Sequence, residues 1–143
     1  RERLASEEPE LDLGLNRLEL VSAVPLFQDI DDKKRRSIAD LLKPQLIVPG
    51  EVLCRKDERG DSMFFISSGA ISIQLDPDNV TLGSGEFFGE IALLKDAPRT
   101  ATAVAESFCE LLVLQRSDFA NLLETNPDMK EAIEKVAEDR LAT

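Results

Sequence analysis

Glu90 and Arg99 stand nine residues apart, and the residues around them suggest what this pair of opposite charges is for. Gly85-Glu86-Phe87-Phe88-Gly89 leads into Glu90-Ile91-Ala92-Leu93-Leu94, and Ala97-Pro98-Arg99-Thr100-Ala101-Thr102 brings the chain back. Gly89 lets backbone come close to a ligand, and the apolar run from Ile91 to Leu94 can form one helical turn whose free N–H groups face an anion. Glu90 would repel a phosphate in a sheltered pocket, so it needs a different task. A carboxylate is a pure acceptor and can take the proton of a ribose hydroxyl, while the fork of Arg99, stiffened by Pro98, pairs with phosphate oxygens. Carboxylate for sugar and arginine for phosphate suit a compact nucleotide. Taken singly, Gly89-Glu90 reads as a glycine turn with an exposed acid and Arg99 as a surface cation; it is their combination that points to a ligand.

The elements that must position this loop are short strands. From Gln45 to Leu114 the chain is β-rich and cut by turn signals at Pro49-Gly50, Arg59-Gly60-Asp61, Ser68-Gly69, Asp76-Pro77-Asp78-Asn79 and Gly83-Ser84-Gly85. Ile71, Ile73 and Leu75 alternate with Ser72 and Gln74, as Ala101, Ala103 and Ala105 do with Thr102 and Val104, so these strands are expected to bury one face of a barrel or jelly roll. Helices flank the β region. Leu11, Leu15, Leu18 and Val21 fall at helical spacing up to Pro25, after an acidic tail over residues 1–10. Asp31 or Asp32 can cap a second helix through Leu42, with Ile38, Leu41 and Leu42 inward and Lys33, Lys34, Arg35 and Arg36 outward as a solvated face. Ser117 is expected to cap a helix through Leu123, and Asn126-Pro127 to open a last one with a stripe of Met129, Ile133, Val136, Ala137 and Leu141, from whose edge Arg140 projects.

Composition narrows the function. The 143 residues, 43% hydrophobic and 31% charged, fit one globular domain with a real core. A formal charge of −11, from 28 acidic and 17 basic residues, disfavours nucleic acid and anionic membranes as partners. An anionic ligand must therefore meet a locally positive site. There is no His, which removes the commonest general base and metal ligand, so catalysis and a metal cofactor are not expected. Cys54 and Cys109 sit in strand-like apolar surroundings and read as buried thiols ahead of a disulfide. No run reaches the length of a membrane span, and a first residue of Arg in place of Met suggests a piece of a longer chain.

Phe88-Gly89-Glu90-Ile91-Ala92-Leu93 followed by Pro98-Arg99-Thr100-Ala101-Thr102 resembles the phosphate-binding cassette of cyclic nucleotide-binding domains. The resemblance runs from Val24-Pro25-Leu26-Phe27 through Pro49-Gly50-Glu51, Gly60-Asp61-Ser62-Met63-Phe64-Phe65-Ile66 and Gly69 to the last helix, and is strongest to the sensor domains of bacterial cyclic-nucleotide-gated potassium channels. It implies an α+β fold: a β-roll of about eight antiparallel strands between N- and C-terminal helices, with one short helix in the cassette. Residues 1–24 would be a linker end and residues 25–143 the binding domain.

The resemblance also implies a ligand, cAMP or cGMP, bound without a metal and without a catalytic step. Gly89, Glu90, Ile91, Ala92, Arg99 and Thr100 would hold its sugar and phosphate; Thr100 permits cGMP without demanding it. Val80 and Leu82 would lie beside the purine, although core packing alone also explains them. Arg140 would cap the base, the plain alternative being a cation at a helix C-terminus. The partner implied is a membrane ion channel or transporter in the same parent chain, this domain lying on the cytoplasmic side of the plasma membrane. A catabolite-activator-type transcription factor uses the same sensor fold, but residues up to Thr143 carry no helix-turn-helix. Two departures from the family pattern stand out: Asp57 where a glycine is usual, and Phe64-Phe65 for Tyr-Phe, the latter expected to touch only core packing.

Overall fold

The computed structural model describes Phe27 and residues 30–142. The expected helix from Leu11 to Val24, its stop at Pro25 and the tail before it lie outside these residues. The described chain runs α1 (Asp32–Leu41), β1 (Lys43–Ile47), β2 (Val52–Cys54), β3 (Ser62–Ser68), β4 (Ile71–Gln74), β5 (Val80–Leu82), β6 (Phe87–Phe88), α2 (Glu90–Leu94), β7 (Thr102–Ala105), β8 (Cys109–Gln115), α3 (Arg116–Thr125) and α4 (Pro127–Ala142). The eight strands form two antiparallel four-stranded sheets, ordered β1-β8-β3-β6 and β2-β7-β4-β5. This is the β-roll with flanking helices that the resemblance implies. Among the described residues no helix is long and apolar enough to cross a membrane.

Strand periodicity explains how the layers stack. Successive side chains of a strand point to opposite faces. On β3, Phe64 and Ile66 join Ile71, Leu82, Phe88, Ala103, Ala105, Leu111 and Val113 in one core cluster, which unites residues of both sheets. Met63 and Phe65 instead join Leu112 and Leu114 of β8 and Phe87 of β6 in a second cluster. That cluster holds Ile38 and Leu42 from the α1 region, Phe119 and Leu122 from α3, and Met129 and Ile133 from α4. Met63-Phe64-Phe65-Ile66 and Leu111-Leu112-Val113-Leu114 are therefore near-continuous apolar runs because each strand is buried on both faces. One-faced burial, expected of many strands, does not describe these two.

Local signals set most element ends. Asp31 caps α1, its Oδ1 accepting from Lys34 N at 2.8 Å, and the helix ends one residue before Leu42, which is buried beyond it. Arg35 differs from the expected outward cation: its side chain is half-buried, with Nε donating to Phe27 O at 3.3 Å and Nη1 paired with Asp32 at 2.6 Å. Ser117 is not a cap, because α3 already starts at Arg116 with Gln115 before it and no side-chain capping bond. Pro127 does occupy the first position of α4. The Asn126 amide, however, turns back to donate to Leu122 O at 2.9 Å, closing α3. β4 ends at Gln74, so Leu75 falls outside the strand and is 43% exposed. Asp57 takes φ 74°, the left-handed backbone for which a glycine is usual, and donates its N–H to Arg99 O at 2.9 Å.

Candidate ligand-binding site

A cavity of about 330 Å³ opens between the β2-β7-β4-β5 sheet, the loop around α2 and the end of α4. Its size falls within the range of small-molecule sites. Gly89, Glu90, Ile91, Ala92, Arg99, Thr100, Val80, Leu82 and Arg140, the residues singled out in the sequence, all line it. Cys54, Ile73, Leu75, Phe88, Ala101, Ala103 and Leu141 complete the wall. Lying on the cavity accounts for the exposure of two apolar side chains, Leu75 at 43% and Val80 at 44%. Leu82, at 8%, belongs to both the cavity wall and the inter-sheet core, so its packing role and its lining role coexist. Thr100 lies exposed at the rim.

α2 is a five-residue helix entered through Gly89, whose φ of 91° no branched residue adopts without strain. A Cβ there would fall 2.7 Å from Arg99 Nη1 and 3.2 Å from Ser62 O. Gly60 is required for space rather than conformation: a Cβ would fall 2.6 Å from Arg99 Nε and 2.8 Å from the Ala92 Cβ. Two glycines thus leave room for the Arg99 side chain. The guanidinium also sits over the Phe64 ring, 5.6 Å from its centroid, and Phe64 in turn stacks on Phe88 at 4.8 Å. Phe64 is therefore more than core filling, since it floors the cation.

Arg99 is only 7% exposed, yet among the described residues it makes no ion pair, and its Nη1 donates to Gly89 O at 3.3 Å. Burying an arginine without an opposite charge is costly. Glu90 is the complementary case. It is fully buried, its Oε1 accepts from Arg140 Nη1 at 2.7 Å, and its Oε2 has no hydrogen-bond partner among the described residues. Arg140 also donates from Nη2 to Phe87 O at 2.8 Å and lies over the Phe87 ring, 5.3 Å from its centroid. The arginine that the resemblance sets over the base is here joined to the carboxylate expected to read the sugar. Burial pushes the Cys54 thiol above its ordinary pKa, partly opposed by Arg99, and its Sγ donates to Ala101 O at 3.8 Å. Cys54 and Cys109 are both free thiols, Cys109 buried and Cys54 half-buried.

Some of this was beyond sequence reading. Gly60 was legible as a turn but not as the neighbour of Arg99, and Cys54, Ile73 and Leu141 gave no sign of facing the cavity.

A β-roll with a sheltered cation, a buried carboxylate and a helix end around one cavity is an arrangement suited to a small anion. The chain belongs to the cyclic nucleotide-binding domain family, whose model matches residues 44–126. It is 42% identical over 122 residues to a cyclic nucleotide-gated potassium channel of Rhizobium etli, a match spanning 85% of this chain and 34% of the channel. It therefore spans about a third of that relative's length. A solved cAMP-bound structure of PfPKA-R superposes with a TM-score of 0.73 at 32% identity, covering 85% of this chain and 45% of the other. The catabolite activator protein of Thermus thermophilus gives a TM-score of 0.72 at 27% identity, covering 82% and 58%.

Proposed function

We propose that this chain is the sensor domain of a larger protein, binding a cyclic nucleotide, cAMP or cGMP, and passing the occupancy of its cavity to an attached membrane ion channel or ion transporter. The observation that carries the reading is Arg99: a buried cation in the cavity wall, without a carboxylate partner among the described residues. A phosphate diester supplies the missing charge, and the N–H groups at the start of α2 add donors to it. Glu90 Oε2 accepts a ribose hydroxyl while Oε1 keeps Arg140. The sugar contact and the tie to α4 therefore need not compete. Val80 and Leu82 with Leu75 and Ile73 offer an apolar wall for the purine, and Thr100 at the rim lends a hydroxyl to the phosphate or to a guanine.

Nothing in this scheme makes or breaks a bond; ligand acts by favouring the conformation it binds better. The potassium-channel relative at 42% identity supports an ion channel or transporter as effector ahead of a DNA-binding one. In this reading residues 25–143 are the sensor unit, on the cytoplasmic side of the membrane.

Calorimetric titration of the chain with cAMP and cGMP in parallel tests the reading. Micromolar or tighter binding to one of them is expected, and the ratio ranks the purines. No heat and no thermal stabilisation with either would overturn it.

A further inference from the structure

Arg116, the first residue of α3, does not line the cavity, yet every nitrogen of its guanidinium has a partner. Nη2 donates to Gly60 O and, at 3.3 Å, to Ala92 O within α2. Nη1 lies 3.3 Å from Asp96 Oδ1, just beyond α2, and Nε lies 3.4 Å from Asp61 Oδ1. Its backbone N–H donates to Asp61 O at 2.8 Å. The two carboxylates are 75% and 65% exposed, so these pairs are screened by water, and the carbonyl contacts hold the geometry.

The residues joined by those carbonyl contacts flank the proposed phosphate contact. A Cβ on Gly60 would strike Arg99 and Ala92 together, so Gly60, Ala92 and the Arg99 guanidinium meet at one point. The turn before Gly60 is paired to the backbone of Arg99, with Arg99 N donating to Glu58 O at 2.8 Å and Asp57 N to Arg99 O at 2.9 Å. One guanidinium thus fastens the turn on one side of Arg99 to the helix on the other. We propose that Arg116 is a positioning residue for ligand binding: by tying Gly60 to Ala92 it fixes the slot in which Arg99 is held toward the cavity. This role rests on the reading of Arg99 as the phosphate contact. Since Arg116 also begins α3, it joins the cassette directly to the helix that leads into α4, whose end lies over the cavity.

The test is calorimetry of cAMP and cGMP binding to the whole chain carrying Arg116→Met or Arg116→Lys, with circular-dichroism melts to establish folding. Arg116→Met is expected to weaken binding roughly five- to thirtyfold, and Arg116→Lys to recover part of the loss because an ammonium still reaches one carbonyl. In an Arg99→Met background the same Arg116→Met change should cost less than about twofold, since a residue acting through Arg99 has nothing left to position. An unchanged affinity, or an undiminished loss in the Arg99→Met background, would overturn the role. Should Arg116→Met fail to fold, Arg116→Gln, which keeps a donor, takes its place under the same criteria. Failure of the wild-type chain to bind either nucleotide would overturn the sensor reading itself, whereas a binding wild type with an indifferent Arg116 overturns only the positioning.

Discussion

Arg99 and Glu90 are both buried, opposite in charge, and not fully answered by the rest of the described chain. A folded protein seldom retains such groups without a use, because each incurs a desolvation cost that apolar residues would avoid. Replacing Arg99 by Met should therefore separate binding from stability. Ligand affinity is expected to fall by about 1.5–3 kcal/mol, roughly tenfold to more than a hundredfold, as a charge-assisted contact is lost. The melting temperature of the ligand-free protein should hold or rise, because an unpaired buried cation gives way to an apolar chain of similar length. Titration and a thermal melt on the same sample check both halves. A variant that binds as tightly as wild type would remove Arg99 from the site. This charge logic was readable in the sequence from residue types and spacing; that no carboxylate among the described residues pairs with Arg99 was not, since that depends on which segments fold against it.

In the proposed signalling the element that matters most is α4. Its Met129, Ile133 and Ala137 are buried, the first two in the core cluster with β3, β8 and α3, while its last turn reaches Glu90 through Arg140, fifty residues away in sequence. The helix is thus anchored by packing at one end and by a charged hydrogen bond at the other. The ligand's hydroxyl would complete the Glu90 carboxylate and leave that second anchor in place. Arg140→Ala should weaken binding less than Arg99→Met does, and should lower stability by roughly 1–3 kcal/mol because Glu90 is left buried and unpaired. The ligand-induced slowing of amide exchange in the final two turns of α4, expected in the wild type, should disappear. Equal protection in both proteins would count against α4 as the moving part. The sequence places Arg140 at the edge of the apolar stripe, but helical periodicity only says which face a residue occupies, not which distant carboxylate it meets.

At the scale of the whole molecule, a chain of net charge −11 would meet the proposed anion at a cavity whose wall carries two arginines. The cavity lies between the β2-β7-β4-β5 sheet, the cassette and α4, so a ligand there bridges parts that are far apart in sequence. Binding should then stabilise the fold as a unit. At a cyclic nucleotide concentration of about a hundred times Kd, linkage gives about 2.7 kcal/mol, a rise in Tm on the order of 10 °C for a domain of this size. A two-state melt that shifts uniformly by fluorescence and by circular dichroism is the expected result. A shift confined to one probe would mean that the ligand orders only a local segment.

The amino-acid sequence by itself determined what short-range physics controls: a helix capped at Asp31 or Asp32, the Pro127 start and the Gly89-Glu90 to Arg99 spacing, whereas β3 and β8 are buried on both faces where one was expected. Where two local signals competed it misled, as at Ser117, whose capping chemistry loses to a helix already begun at Arg116. Only the tertiary structure decided that Gly60 must be bare to admit Arg99, that Phe64 floors that cation, that Arg140 pairs with Glu90, and that Arg116 clasps the cassette. These contacts join residues 24 to 56 positions apart in the chain. Periodicity and capping act within a few residues, whereas such meetings are set by the closure of two sheets and the docking of helices on them.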